Sequence, residues 1–235
     1  MPAKAPKDKI TKAQQEFYDQ HRQTLIDEYL TDLPRVIDPD VIRDLFMPIG
    51  YDRSNVQKYQ GICKRLTADI FEEVLIRNKG RARTVIFAAG LPATGKSTHL
   101  RQMAGREIIY DGTMNNEAKF IEFVKKALSL GYLVQVFVYS AKPTRAFESN
   151  LNRGDTTGRY VPISQYEKVA ASINKRQEIL ERGFSGRVIF RNFEHTDFEG
   201  KQKKFSEIII DRNELEAIAR KHQFKNDRTL QKIID

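Results

Sequence analysis

The sequence has a single cysteine, Cys63, among its 235 residues. One cysteine excludes an intramolecular disulfide and a zinc site built from several cysteines. No neighbouring feature marks Cys63 as a low-pKa thiolate, so we interpret it as a half-buried thiol on a helix and not as a nucleophile.

Long apolar runs are also absent. No stretch approaches the roughly 20 apolar residues that a membrane-spanning helix needs. The N-terminal segment MPAKAPKDKITKAQQ has no apolar stretch after its lysines, so it does not have the pattern of a secretory signal peptide. We therefore expect a cytoplasmic protein with no membrane partner.

Histidines are few and scattered. His21, His99, His195 and His222 show no metal-ligand spacing, and we interpret His99 as a surface or packing residue. No Ser-His-Asp or Cys-His arrangement can be read from the sequence, and we find no internal repeat.

Charge and composition are more informative. Apolar residues make up 40% and charged residues 30% of the chain, which is typical of a folded protein and excludes a collagen-like or largely disordered one. The net charge of +9 favours anionic partners such as nucleotides, phosphorylated metabolites, nucleic acid or acidic lipid. Charge alone does not choose among them.

The first third of the chain has helical patterns. A basic tail to about Ala13 precedes predicted helices over about Gln14 to Leu33 and Val56 to Asn78, with a short helix in the proline-punctuated segment VIDPDVIRDLFMPIGYD. We predict that residues 1–80 form a tail and helical segment that packs on a core over residues 81–235.

From Thr84 onward strand and helix patterns alternate, which predicts a three-layer α/β fold with a mainly parallel sheet. The predicted strands are TVIFAAG (84–90), EIIYDG (107–112), YLVQVFVYS (132–140), RVIFRNF (187–193) and SEIIID (206–211). The predicted helices cover residues 96–103, 115 or 116 to 130, a stretch from about 143, 164–182 and 212–223, with NRGDTTGRYVP (152–162) as a polar loop.

A glycine-rich motif lies between the first of these strands and its helix. The residues Gly90-Leu91-Pro92-Ala93-Thr94-Gly95-Lys96-Ser97 fit G-x-x-x-x-G-K-[ST], the phosphate-binding loop or P-loop. Its glycines let backbone N–H groups approach phosphate oxygens at a helix N-terminus. Lys96 would contact the β- and γ-phosphates, and Ser97 would place its hydroxyl on Mg²⁺, with the Thr98 hydroxyl nearby. We predict an ATP site; the alternative is a turn that binds nothing.

Asp111 ends a predicted strand, so it should project from the edge where parallel sheets bind ligands. It would hold Mg²⁺ through water or contact the substrate; the alternative is a carboxylate bonded within its own turn.

Arg153 and Arg159 lie in the predicted loop 152–162. An arginine delivered by a closing lid stabilises the charge that develops during phosphoryl transfer, and its planar fork binds phosphate through two hydrogen bonds. We predict a lid function for both, against the alternative of solvated surface charges.

Taken together, GLPATGKST, IIYDGTM and the GRYVP block preceded by Arg153 resemble the zeta toxin family of P-loop kinases, over about Thr84 to Phe193. The resemblance implies ATP and Mg²⁺ as cofactors, phosphorylation of a UDP-activated amino sugar such as UDP-N-acetylglucosamine, and an antitoxin protein as a partner.

The resemblance also assigns residues. Lys96 and Ser97 match the family's ATP-phosphate and magnesium residues, and Arg153 and Arg159 look like its two arginines near the transferred phosphate. Asp111, with Thr113 beside it as a further substrate contact, stands where the family commonly has a glutamate.

The general base departs from the family pattern. Zeta toxins carry a catalytic aspartate in an I-D-x-D segment after the P-loop helix, whereas here a similar stretch, IDPD (37–40), precedes the P-loop. We predict that this segment supplies the base, with Asp40 favoured over Asp38, and that Arg43 on the same helix face holds the substrate. The alternative is that Asp38 and Asp40 cap a helix beside Pro39.

Three functions fit these patterns. The first is a small-molecule kinase with a nucleotide sugar as acceptor and Asp40 or Asp111 as base. The second is a polynucleotide 5′-hydroxyl kinase, in which the basic tail and the basic turn Lys79–Arg83 follow a nucleic-acid backbone. The third is an ATP-regulated binding protein that transfers nothing.

Overall fold

The protein is represented by a computed structural model that describes residues 9–53, 55–103, 105–112, 116–184, 186–194, 207–224 and 227–235. Its internal contacts divide the chain into two compact units, Met1–Ala82 and Arg83–Asp235. None of the helices in these ranges is long and apolar enough to cross a membrane.

The first unit is mainly helical. Its elements are α1 (Lys12–Asp32), the two-residue strand β1 (Val36–Ile37), α2 (Pro39–Asp44), a 3₁₀ turn (Met47–Ile49) and α3 (Val56–Arg77). The helix α1 starts within the segment that we predicted as a tail, because Thr11 and Gln14 form a reciprocal capping box. Apolar stripes on α1 and α3 pack together, and Tyr18 donates a hydrogen bond to Asp69 across the pair.

The second unit alternates strands and helices. Its elements are β2 (Thr84–Gly90), α4 (Lys96–Met103), β3 (Ile108–Asp111), α5 (Glu117–Ser129), β4 (Leu133–Ser140), α6 (Pro143–Thr157), α7 (Ile163–Gly183), β5 (Val188–Glu194), α8 (Arg212–Lys221) and α9 (Asp227–Ile234). The strands of this unit pair in parallel in the order β3-β2-β4-β5. Helices flank the sheet, so the predicted three-layer α/β fold is confirmed.

The central strand β2 explains the position of the P-loop. All its residues from Val85 to Ala89 are at most 1% exposed, as expected for a strand covered on both faces. Its register pairs Ala88 with Asp111 of β3 and Gly90 with Tyr139 of β4. The carboxyl ends of three strands therefore meet where the glycine-rich turn begins.

Two predictions about local structure are wrong. Residues 207–211 of the predicted strand SEIIID form no strand, because the Asn174 side chain takes up both backbone groups of Ile208, accepting from its N–H at 3.0 Å and donating to its carbonyl at 2.9 Å. The predicted loop 152–162 is also shorter than expected, since α6 continues to Thr157 and ends at Gly158, which has a φ of +71°. The helix α9 had no counterpart among our predictions.

Candidate functional site

The predicted P-loop has the expected context. Gly90 ends β2 and Lys96 begins α4, so the turn between them leads from a buried strand into a helix N-terminus. The backbone is left-handed at Gly95, with φ of +78°, and at Ala93, with φ of +61°. An alanine in this region is strained by about 1 to 3 kcal/mol. Thr94 braces the turn from within, because its buried hydroxyl donates to the Leu91 carbonyl at 3.1 Å.

Gly90 is packed against the neighbouring strand. A Cβ atom at this position would lie 2.8 Å from the Tyr139 carbonyl oxygen and 2.9 Å from the Tyr139 Cβ. Neither atom can swing away, since one is backbone and the other is fixed to it. The first glycine of the motif therefore lets β2 and β4 approach where the P-loop begins.

Replacing Gly90 with alanine is expected to lower the free energy of unfolding by about 1 to 3 kcal/mol, because the added methyl forces β2 and β4 apart. ATP binding should weaken as well, since the P-loop starts at this residue. Thermal melting and ATP titration measure the two effects. Gly105→Ala is the matched control, because a Cβ there meets nothing within 4 Å; equal effects of the two changes would contradict the packing argument.

Three predicted residues come together at the end of the P-loop. The Ser97 hydroxyl donates to Asp111 Oδ2 at 2.7 Å, and the Lys96 ammonium forms an ion pair with Asp111 Oδ1. The Asp111 side chain is 6% exposed and that of Lys96 is 13% exposed, so this ion pair is largely shielded from water. The carboxylate of Asp111 is thus turned toward the start of α4.

This cluster fits a magnesium site of the kind used by kinases. Ser97 Oγ and Asp111 Oδ2 are adjacent oxygen atoms, the ligand type that Mg²⁺ prefers. Within the described ranges no three His, Cys, Asp or Glu side chains form a group that could hold a metal alone. One or two protein oxygens suffice for Mg²⁺ when nucleotide phosphates and water complete its shell.

Tyr166 on α7 ties the P-loop to α6, which the sequence did not indicate. Its hydroxyl lies 3.0 Å from the Pro92 carbonyl oxygen and 3.0 Å from the Ala146 carbonyl oxygen. The residue is fully buried, and this burial raises the pKa of its hydroxyl well above the usual range. Tyr166 therefore acts as a neutral donor that links the turn to two helices.

Replacing Tyr166 with phenylalanine is expected to lower the free energy of unfolding by about 1 to 3 kcal/mol, because the Pro92 and Ala146 carbonyls lose the single O–H group that they share. The ring contact with Phe147 is kept, so the change isolates the hydroxyl. Urea denaturation measures the effect, and ATP titration checks whether the turn loosens. An unchanged denaturation midpoint would show that the hydroxyl does not brace the P-loop.

The two predicted lid arginines differ in setting. Arg153 lies on α6 and is exposed, and its positive charge partly offsets the burial that raises the pKa of Tyr166. Arg159 is half-buried and follows the end of α6, where its N–H donates to the Thr157 hydroxyl at 3.3 Å. Only the segment after Thr157 is a loop, so Arg153 is carried by a helix, contrary to our prediction.

The predicted residues of the first unit contact one another within that unit. Asp38 caps α2 by accepting from the Asp40 N–H at 2.9 Å, and Asp40 forms an ion pair with Arg43. Arg43 also donates to Gln60 Oε1 at 3.2 Å. The capping interpretation of Asp38 thus describes its contacts, while roles for Asp38, Asp40 and Arg43 in a reaction stay predictions. Thr113 lies outside the described residues.

Cys63 and His99 pack against other protein groups. Burial raises the pKa of the Cys63 thiol to about 11, so the thiol stays protonated at neutral pH. His99 Nδ1 lies 2.7 Å from the Tyr139 hydroxyl, its ring contacts Phe193, and burial lowers its pKa. Cys63 is fully buried on α3, and not half-buried as we predicted. The packing role that we favoured for each residue agrees with these contacts.

The parallel sheet, its flanking helices and this turn are consistent with a P-loop NTPase-like domain. The family model described as zeta toxin matches residues 98–203, which confirms the predicted resemblance to that family of P-loop kinases. The match includes Asp111, Arg153 and Arg159 and begins directly after Ser97. It indicates an ATP-using, kinase-like function. A comparison with curated proteins finds no match.

Proposed function

We propose that the protein transfers the γ-phosphate of ATP to a hydroxyl group of a nucleotide sugar such as UDP-N-acetylglucosamine. The observation that carries this proposal is the contact of Asp111 with both Lys96 and Ser97 at the carboxyl edge of the sheet. A lysine, a hydroxyl and a carboxylate at a P-loop are the groups that hold the phosphates and Mg²⁺ for γ-phosphoryl transfer. The nucleotide-sugar acceptor is what the similarity to the zeta toxin family implies.

Each group has a defined part in this reaction. The P-loop N–H groups and Lys96 hold the β- and γ-phosphates, and the ammonium exchanges its Asp111 partner for phosphate oxygens when ATP binds. Ser97 and Asp111 would hold Mg²⁺, which neutralises charge on those oxygens. Arg153 and Arg159 stabilise the charge on the transferred phosphoryl group. The positioning of these charges supplies most of the catalysis, because phosphoryl transfer needs little covalent chemistry from the protein.

The experiment is phosphoryl transfer from γ-labelled ATP with Mg²⁺, with UDP-N-acetylglucosamine and a 5′-hydroxyl oligonucleotide offered separately. Wild-type protein should label the nucleotide sugar, and Lys96→Ala should not. Lys125→Ala, which removes an exposed lysine of α5, is the matched control and should keep full activity. Thermal melting of each variant checks that it folds.

Other outcomes identify the alternatives. In the basic turn Lys79–Arg83, the side chains of Lys79, Arg81 and Arg83 are exposed. Exposed positive charges can bind phosphates of a nucleic-acid backbone, so a nucleic-acid acceptor is the second candidate. Label on the oligonucleotide, with binding that falls steeply as salt rises, would establish that function instead. Tight ATP binding without label on either acceptor would indicate the ATP-regulated binding protein, for which an antitoxin-like protein is the partner to test.

The assignment of Asp40 as general base gives a separate prediction. Asp40→Asn should lower kcat by about 10²-fold while ATP affinity stays unchanged, because a general base contributes at least this much. The Arg43 side chain is only 10% exposed, so loss of its charged partner should also lower the free energy of unfolding, and kcat is compared at a temperature at which thermal melting shows both proteins folded. Asp44→Asn at the end of the same helix is the control. Full kcat in Asp40→Asn would make Asp111 the remaining candidate.

A further inference from the structure

A carboxylate on α6 links the Arg159 segment to the C-terminal end of α8. Asp155 Oδ1 accepts a hydrogen bond from the Tyr160 hydroxyl at 2.7 Å and another from His222 Nε2 at 3.1 Å. Tyr160 directly follows Arg159 in the chain, and His222 directly follows α8. One side chain of α6 therefore joins two segments that are more than sixty residues apart in sequence.

Aromatic contacts strengthen this link. The Phe224 ring lies 5.6 Å from the Tyr160 ring and 4.7 Å from the His222 ring, measured between centroids. We call Asp155, Tyr160, His222 and Phe224 the C-terminal clamp. Edge and tilted contacts of this kind add to the hydrogen bonds, because aromatic pairs prefer such geometries.

The Tyr160 ring is seated on α6 itself. A Cβ atom at Gly154 would lie 2.1 Å from Tyr160 Cδ1, so the ring occupies space that only a glycine leaves open. The side-chain bond to Asp155 and this close approach to Gly154 fix both ends of the ring. Gly154, which suggested a loop in the sequence, is therefore a helical residue against which the Tyr160 ring packs.

The backbone on the other side of Tyr160 is also fixed. Asn150 is fully buried, and its amide accepts from the Val161 N–H at 3.1 Å and donates to the Val161 carbonyl at 2.9 Å. Before Arg159, the Gly158 N–H donates to the Gly154 carbonyl at 2.8 Å. Arg159 therefore lies between anchored residues on both sides, although it follows a helix end.

We propose that the C-terminal clamp positions Arg159 for phosphoryl transfer, with His222 and Phe224 as positioning residues that do not touch the nucleotide. This inference rests on the proposed function of Arg159 at the transferred phosphate. An arginine that stabilises a transition state must be placed accurately, and a displacement of about 1 Å can cost up to about 10²-fold in rate. His222 and Phe224 contribute to this accuracy from the C-terminal end of α8, through their contacts with Asp155 and Tyr160.

The test compares three variants of the full chain. His222→Ala should lower kcat by about 10-fold and leave the ATP dissociation constant unchanged, because the clamp acts on placement and not on ground-state binding. His222→Gln should restore most of kcat, since its amide can donate to Asp155 from nearly the same position as Nε2. Lys221→Ala, an exposed neighbour at the end of α8, is the matched control and should behave as wild type.

Amide hydrogen exchange gives a readout that does not depend on activity. In His222→Ala, exchange should become faster in residues 158–161 and stay unchanged in β2 and β4. Phe224→Leu should show the same pattern, which covers the case in which His222→Ala does not fold. Unchanged exchange in residues 158–161 would overturn the clamp, whatever the activity.

The remaining outcomes separate the clamp from the proposed function. Wild-type kcat in His222→Ala would overturn positioning while phosphoryl transfer stands. An equal loss of kcat in the alanine and glutamine variants, accompanied by lower melting temperatures in both, would show a merely structural role and overturn the proposal. The absence of phosphoryl transfer in the wild-type protein would refute the proposed function itself, and the positioning of Arg159 for that reaction with it.

Discussion

Replacing Asp111 with asparagine is expected to lower both stability and activity. The change keeps the shape of the side chain and removes the negative charge beside the Lys96 ammonium. Breaking a buried ion pair by neutralising one partner costs about 3 to 5 kcal/mol, and the low exposure of both side chains places this pair near that range. The ligand-free protein should therefore unfold at clearly lower urea concentrations.

The effect on activity has a different origin. Asp111 orients the Ser97 hydroxyl through a 2.7 Å hydrogen bond, and residues that orient metal ligands typically change metal affinity or activity by about 10- to 100-fold. We expect kcat to fall within that range and the Mg²⁺ concentration required for half-maximal rate to rise. Initial rates over a Mg²⁺ titration measure both quantities.

A double variant separates these contributions. Lys96→Met combined with Asp111→Asn removes both charges, so it should recover part of the stability lost in Asp111→Asn without recovering activity. Lys96→Met alone completes the comparison. If the double variant loses as much stability as the two single variants together, the two charges do not interact. Wild-type stability and Mg²⁺ dependence in Asp111→Asn would remove this carboxylate from the site.

The sequence predicted those parts of the fold that depend on local patterns. The P-loop could be recognised because its glycines, its lysine and the preceding β-branched strand are contiguous, and the backbone angles at Gly95 and Ala93 agree with that interpretation. Asp111 could be placed at the same edge because the carboxyl ends of parallel strands meet there. Its contacts with Lys96 and Ser97 depend on the register between β2 and β3, which no local pattern specifies.

Tertiary contacts explain the errors. Ile208 to Ile210 have the composition of a buried strand, yet the Asn174 amide binds the backbone of Ile208 in place of a neighbouring strand. Gly154 and the threonines that follow resemble a loop, yet the Tyr160 ring packs on Gly154 and the helix continues. Propensity is a weak prior in such places, because contacts distant in sequence decide the outcome.

Buried polar residues were missed for a related reason. Asn150 and Tyr166 lie on helices whose sequences show only an ordinary amphipathic pattern. The carbonyl groups that they bind belong to distant residues and cannot be identified from that pattern. A fully buried asparagine needs a hydrogen-bond partner, so burial is the signal that would have identified it. That signal exists only after the chain has folded.

Replacing Arg159 with alanine is expected to reduce kcat by about 10³-fold, because an arginine at the transferred phosphoryl group contributes at least this much in related reactions. ATP affinity should change far less, since the P-loop and Lys96 hold the nucleotide. Stability should stay near that of the wild type, because Tyr160 and Val161 are anchored through their own contacts. Single-turnover rates with γ-labelled ATP and calorimetric ATP titration measure these quantities.

Arg159→Lys distinguishes charge from geometry. Lysine keeps the positive charge but not the planar fork, so kcat should recover only in part if two hydrogen bonds to the phosphoryl oxygens are required. Lys168→Ala, which removes an exposed lysine of α7, is the control for a general loss of positive charge. Arg153→Ala should have a smaller effect than Arg159→Ala, because Arg153 is exposed on a helix while Arg159 is half-buried and held on both sides. The reverse order would make Arg153 the principal arginine and Arg159 a surface charge.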